Sequence, residues 1–404
     1  MEPADLKNRI EVQPDDGVDR YHRQNLISWW DQDHLANAKV LVVGAGALGN
    51  EIVKNLVLTG VGQIIITDFD HIEYSNLARC VFFRPEDEGR SKAEVLAERA
   101  AALNSDVDVI GIDGDVRLTV GLGLIDEVDL VIGGLDNREA RLFVNQACWK
   151  TGTPWIDGAI EGLMGVVRVF IPPETACYEC TMSERDHELI AARRSCALLS
   201  KEQMAEGKVP TTATSASVIG AMEAQEAVKL LHRDRLGEPE LAGAGFHFVG
   251  LTHDSYVVRY QPREDCMSHD SYDLSDAKTI SGSETILADA LTIAESELGE
   301  GAIVEFEHEV ALNAVCGTCG HEESIGKLVD SLNSDAGYCT ECGETWRLSF
   351  THSVDRESPV LEMTPVQLGI PEGDVLVARH GMERAFIRTA PAGTIIGSLG
   401  KRSN

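Results

Sequence analysis

The segment DFDHIEYSNLAR, residues 68–79, places two aspartates at the end of a β-branched run and continues with a polar Ser-Asn-Leu-x-Arg. Asp68, just after the strand-like run at 64–67, can accept hydrogen bonds from the ribose hydroxyls of a nucleotide. Asp70, Asn76 and Arg79 follow it closely, Lys92 in RSKAE adds a second fixed positive charge, and Asp136 in LDNREAR comes just after another apolar run. Any one of these would pass for a solvated surface charge. Together, Arg, Lys and a carboxylate that holds magnesium suit the stabilisation of charge on an α-phosphate and on departing pyrophosphate. Hydride transfer requires no such set, which counts against an NAD-dependent oxidoreductase.

These side chains need a scaffold that gathers them. In AKVLVVGAGALGNEIVKNLVLTG an apolar strand passes through a turn containing Gly44, Gly46 and Gly49 into an apolar-periodic helix, so the backbone can approach a phosphate at the helix N-terminus. Further strand-like runs at 64–67, 107–112, 129–132 and 154–157 alternate with helical patterns at 92–103 and 138–150. The expected class is α/β, a doubly wound, Rossmann-like, mostly parallel sheet with a small C-terminal zinc-ribbon and β-rich domain. TTATSASVIGAMEAQEAVKLLH predicts a loop and an amphipathic helix ending near His232. The expected boundaries are a flexible arm at 1–19, a large α/β domain at 20–270 that the resemblance given below implies is an adenylation domain, a Ser/Asp/Gly-rich linker at 271–284 and a smaller, partner-binding domain at 285–404.

A chain of 404 residues with 43% hydrophobic content has room for one large and one small core. Its formal charge of −31 repels nucleic-acid backbones and anionic membranes, so neither is an expected partner. An apolar run of about 18 residues and a basic, hydrophobic leader are both lacking, so a cytoplasmic location is expected.

Ten cysteines without an export signal point to metal or free thiols. Cys316 and Cys319 in CGTCG and Cys339 and Cys342 in CTECG form two glycine-ended knuckles, as in a four-thiolate zinc ribbon. Coordinated thiolates are not nucleophiles. Cys148, on an apolar helical pattern, is a core thiol. Cys196 follows two arginines and precedes a polar stretch, a setting that favours a thiolate carried on a loop; it is the candidate nucleophile.

At these residues the chain resembles the ThiF/MoeB/ubiquitin-activating enzyme superfamily of adenylyltransferases. The resemblance covers roughly 20–270 through RYHRQ, VLVVGAGALG, DFDHIEYSNLAR, GRSKAE, LDNREAR, CYEC and SVIGAMEAQEAVKLL. It implies that Asp68 binds ribose, that Asn76, Arg79 and Lys92 bind phosphates and that Asp136 holds Mg2+. Arg23 resembles an arginine that reaches ATP from a partner subunit, implying a homodimer. Cys177 and Cys180 match the family's first zinc pair, and Cys266 with His269 stands where the second is expected. Cys196 resembles the cysteine that accepts the acyl group in several members.

The chain departs from the pattern at Ala47, where many members have glycine, and at Cys80, where a glutamine commonly follows the arginine. MTPVQLGIPEGDVLVAR, at 363–379, resembles a short stretch of ubiquitin-fold domains that recruit conjugating enzymes. The implied function is ATP-dependent activation of a ubiquitin-like protein with a glycine-ending C-terminus: adenylation, then a thioester. The alternatives are a sulfur-carrier adenylyltransferase of thiamine or molybdopterin type and a non-catalytic scaffold subunit.

Overall fold

A computed structural model describes residues 19–188, 210–332, 334–390 and 395–402. The chain divides into two compact units. The first takes the described residues up to Gly114, Val128–Met182 and the stretch ending at His269; the second takes Asp115–Glu127 and the chain from Asp270 on.

The first unit is built on an eight-stranded sheet of order β3-β2-β1-β4-β5-β6-β7-β8. Its strands are β1 (Lys39–Val43), β2 (Gln63–Asp68), β3 (Asp108–Asp113), β4 (Leu130–Gly133), β5 (Trp155–Glu161), β6 (Met164–Phe170), β7 (Ala244–Val249) and β8 (Asp254–Arg259). The first five pair in parallel, and β6 to β8 continue antiparallel. Strands covered on both faces need apolar side chains on both, which is why VLVV, IIIT and LVIG read as continuous runs. Val40, Ile64, Ile65, Leu130 and Val131 are fully buried.

Helices at Ala47–Thr59, Lys92–Leu103, Arg138–Thr151 and Ala213–Leu231 pack against this sheet or one another. Their ends follow local chemistry. Ser91 and Asn137 cap their helices through side-chain oxygens, and Gly60 and Gly152 end theirs in the left-handed conformation. Gly220 lets the late helix approach the helix Ala47–Thr59, since a Cβ there would stand 2.7 Å from Glu51 Cβ.

The chain runs outward from β1 to β2 and β3, then returns to place β4 on the other side of β1. That reversal opens a crevice beyond the C-terminal ends of β1 and β4, where doubly wound sheets bind ligands. The antiparallel extension left little pattern in the sequence, because all six residues of β8 are exposed and show no alternation.

The second unit holds a six-stranded sheet of order β11-β10-β13-β14-β9, with β12 also paired to β10. Its strands are β9 (Lys278–Ile280), β10 (Ile303–Cys316), β11 (Glu322–Leu328), β12 (Trp346–Val354), β13 (Val375–His380) and β14 (Glu383–Thr389). The helix Leu287–Leu298 buries Leu287, Ala290, Leu291 and Ala294 in a core with Val304, Leu376 and Ile387. Within 271–284, β9 pairs in parallel with β14, and Tyr272 Oη donates to Glu307 at 2.7 Å. Asp115–Glu127 is part of the same body: Leu122 N donates to the buried Asp374 at 3.0 Å, and Gly123 N to Gly373 O at 2.7 Å.

Candidate active site

Gly44, at φ 104°, turns the chain out of β1 so closely beneath the β4 loop that a Cβ on it would stand 2.6 Å from Gly134 O. A Cβ on Gly49 would stand 1.9 Å from Gly44 O, so backbone packs on backbone at the start of the helix. Gly46 is different: its Cβ would meet nothing within 4 Å. The space over the helix N-terminus is open, as approach of a phosphate there requires.

Asp68 closes one side of this turn. Its carboxylate accepts from Ala45 N at 2.7 Å and from Asp70 N at 2.8 Å. Burial raises its pKa, with the neighbouring Lys92 opposing that shift. Lys92 is buried at the start of its helix, and its Nζ lies 2.6 Å from Asp70 Oδ2. Burial alone would lower the ammonium's pKa, but Asp68 and Asp70 outweigh it and the net shift is upward. The lysine therefore stays charged in a largely dry setting, where charge acts strongly.

The loop from Glu73 to Phe83 forms the rim. Asn76 is buried, and its Oδ1 accepts from Glu73 N at 2.9 Å. Arg79 is partly exposed and donates from Nη1 to Ser75 O at 2.8 Å. Between these groups lies Cys80, whose thiol burial pushes up to about 11, against the pull of Arg79 and Lys92. It is a protonated filler where a glutamine was expected from the resemblance.

Across the crevice, Asp136 is exposed on the loop after β4. Arg141 holds that loop down: its Nη2 donates to Leu135 O and, at 3.0 Å, to Gly158 O, while Nε donates to the fully buried Asp157 at 2.7 Å. Arg168 closes on the other Asp157 oxygen. Thus Asp68, Asp70, Asn76, Arg79 and Lys92 share one rim, and the Asp136 loop abuts the glycine turn at Gly134.

Arg23 stands elsewhere in the chain. Its segment is fastened at the far end of the helix Ala47–Thr59, where Gln24 Nε2 reaches Leu58 O at 3.5 Å and Gln32 Nε2 reaches Thr59 O at 3.0 Å. A helix of this length puts its two ends about 18 Å apart. Cys196 lies outside the described residues.

Two side chains carried no signal that sequence reasoning used. Asn50, on the helix Ala47–Thr59, is fully buried and bonds to the glycine turn. Glu223, on the late helix, is fully buried with neither carboxylate oxygen hydrogen-bonded.

Both cysteine sets converge. The ligand atoms of Cys177, Cys180, Cys266 and His269 lie within 4.8 Å of one another, as do those of Cys316, Cys319, Cys339 and Cys342. In the first, Cys177 Sγ is 3.6 Å from both Cys180 Sγ and Cys266 Sγ, and Cys180 Sγ is 3.3 Å from His269 Nε2. In the second, the separations are 3.5 Å for Cys316–Cys342 and 3.6 Å for Cys319–Cys339. Disulfide sulfurs sit at about 2.05 Å. On a tetrahedral ion, thiolates bound at about 2.3 Å would be about 3.8 Å apart and a thiolate and an imidazole nitrogen about 3.6 Å, so both sets fit zinc. The second is made of two like knuckles: Gly320 N donates to Cys316 O at 3.0 Å and Gly343 N to Cys339 O at 2.9 Å, with φ of 75° and 74°. At the first, Trp149 stacks on His269 with ring centroids 3.9 Å apart.

Among the described residues, no helix is long and apolar enough to cross a membrane.

Residues 19–268 match the sequence model of the ThiF family. The chain is 37% identical over 258 residues to the sulfur carrier protein adenylyltransferase of Thermus thermophilus, an alignment covering 61% of this chain and 89% of that protein. It is 40% identical over 149 residues to SUMO-activating enzyme subunit 2 of Dictyostelium discoideum, covering 37% of this chain and 22% of the relative. Against three of its curated relatives, the alignment spans only 22%, 50% and 54% of the relative's own length. Among solved structures, that of E. coli MccB with ATP superposes with a TM-score of 0.52 at 25% identity, covering 66% of this chain and 76% of that one.

Proposed function

This chain belongs to the ThiF family, and from that premise we propose that it adenylates the C-terminal carboxylate of a small carrier protein, with ATP as the second substrate. A carboxylate oxygen attacks the α-phosphorus, the bond from it to the bridging oxygen breaks, and pyrophosphate departs with that electron pair. The observation that carries this reading is the open Gly46 turn, flanked by Asp68 and the Asp70–Lys92 pair and abutted by the Asp136 loop.

Asp68 receives the ribose. Asn76, Arg79 and Lys92 hold the phosphates and meet the charge that develops as pyrophosphate leaves, which is where fixed cations lower a barrier. Asp136 would hold magnesium, which supplies neutralisation of phosphate charge when bound. Arg23, exposed and far from its own chain's crevice, would complete the crevice of a second copy in a homodimer. The carrier's body would dock on exposed apolar residues: Leu163 and Met164 at the turn from β5 to β6, Leu251 at the turn from β7 to β8, and Tyr256 and Val257 on the edge strand β8.

Of the two carrier classes, we favour a ubiquitin-like protein passed on as a thioester to Cys196. The second unit supports this choice: simple adenylation does not need it, and it exposes Val315, Tyr338 and Phe350 near its cysteine knuckles, a surface suited to a conjugating enzyme or another partner. Zinc at Cys177, Cys180, Cys266 and His269 would fasten the end of the adenylation domain. Zinc at the second set would hold the ribbon together.

The test is ATP–pyrophosphate exchange in the presence of small β-rich proteins ending in glycine. Exchange that depends on one such carrier supports the proposal; ATP binding without exchange for any of them removes it. Cys196→Ala that keeps exchange but loses a thiol-sensitive carrier adduct assigns the thioester. A sulfur-carrier enzyme would lose neither. Mixing inactive Arg23→Ala and Arg79→Ala chains should restore part of the exchange if Arg23 acts across a dimer, and none if it acts within one chain.

A further inference from the structure

We infer that Asn50 is a positioning residue that fixes the height of the Arg79 loop over the glycine turn. The inference rests on the nucleotide-binding reading of this crevice and adds to it the part that aligns its two walls.

Asn50 begins the second turn of the helix Ala47–Thr59, on the side that also carries the buried Val53 and Val57, and none of it reaches solvent. Its Nδ2 spends both hydrogens on the turn, donating to Ala45 O at 2.9 Å and to Gly46 O at 3.0 Å. Its Oδ1 faces the other way and accepts from Phe82 N at 3.0 Å. One rigid, planar amide therefore joins the residues on which a phosphate would rest to a backbone group three residues beyond Arg79.

The loop between them transmits position rather than absorbing it. Arg79 N and Cys80 N both donate to Asn76 O at 3.0 Å, and Phe83 N to Cys80 O at 3.3 Å, so Asn76, Arg79 and Phe82 belong to one hydrogen-bonded coil. The two donations reach carbonyls four and five residues back and are local to the helix start; the acceptance from Phe82, 32 residues on, is not local. Replacing Asn50 by alanine frees the Phe82 amide and lets the coil, with Asn76 and Arg79, shift relative to Gly46. Sub-ångström alignment of charge on phosphate is what such a shift costs.

The experiment uses the full chain and calorimetric titration with ATP and with AMP. For Asn50→Ala the expected result is an ATP affinity about tenfold weaker with AMP affinity changed less than about twofold, since AMP lacks the phosphates that Arg79 would meet. In an Arg79→Ala background, Asn50→Ala should add clearly less than its tenfold loss, because only the displacement of Asn76 is left to weaken binding, the mark of residues acting through one another. Equal weakening for ATP and AMP, independent losses in the double variant, or unchanged ATP affinity would each overturn the inference. Asn50→Ser serves as the second variant; if neither variant folds, the residue is a structural one and the inference falls. Should the wild-type chain bind no ATP, the proposed function fails first, and amide exchange at Phe82 and Arg79 still tests the tie: it should accelerate in Asn50→Ala, and unchanged protection overturns it.

Discussion

Gly49 and Gly46 sit three residues apart and are glycine for different reasons. At Gly49 an added Cβ would press on the Gly44 carbonyl at 1.9 Å, backbone against backbone, and neither side can move without displacing the turn. Gly49→Ala should therefore cost about 1–3 kcal/mol or more, read as a lowered denaturation midpoint. At Gly46 nothing is struck within 4 Å, and φ of −73° suits any residue. Gly46→Ala should keep stability within about 0.5 kcal/mol while losing ATP affinity, because the methyl fills the space a phosphate would take. A matching fall in stability at Gly46 would mean that the space is structural. Lys92 gives a third outcome: its charge is held by Asp70 at 2.6 Å, so Lys92→Met should cut pyrophosphate exchange by about a hundredfold, the scale of one lost electrostatic contact.

The late helix Ala213–Leu231 carries a cost that pH exposes. Burial raises the pKa of Glu223 well above the ordinary glutamate range, with the nearby Asp157 charge adding to the shift and Arg141 opposing it. The folded chain thus holds this carboxyl neutral at a pH where the unfolded chain ionises it. A raised folded-state pKa means that full stability is present below about pH 4.3 and is lost as pH climbs towards the folded value, by up to about 1.4 kcal/mol per unit. Glu223→Gln, neutral throughout, should be more stable than the wild type in denaturant melts at pH 8, with the gap closing towards pH 5. A gap that is flat with pH would mean the glutamate is ionised in the fold. The knuckles of the second unit test another element: elemental analysis should find two zinc ions per chain, one for each cluster, and Cys319→Ser should lose one while leaving the ThiF-family domain's metal in place.

At the scale of the whole molecule, the segment Asp115–Glu127 links β3 to β4 in sequence yet packs as part of the second unit. Gly121 and Gly123 lie against the Gly373–Asp374 backbone, Arg388 pairs with Asp126, and Glu127 accepts from Ile395 N at 3.0 Å. A chain cut after His269 would keep every motif of the family but leave Leu122, Leu124 and Ile125 without that covering. It should aggregate or bind a hydrophobic dye, and co-expression of 270–404 should rescue it. A soluble, cooperatively folding 1–269 fragment would show that the segment can repack.

The amino-acid sequence by itself determined the local pieces: buried parallel strands from their apolar runs, the glycine turn, the aspartates at strand ends, and the two glycine-ended knuckles. Each follows from side-chain period or backbone freedom over a few neighbouring residues, which is why so much of the candidate crevice was legible. The exposed strand β8 had no alternation to read, and nothing in Asn50 marked it as more than a polar interruption in a helix. Only the tertiary structure decided which distant pieces meet. It brought Phe82 to Asn50 and Gly373 to Gly123, while the meeting of Cys266 and His269 with Cys177 and Cys180 was expected only through the resemblance. Those pairings depend on how layers pack after long loops close, and a chain's local chemistry holds no record of which of many closures buries its core best.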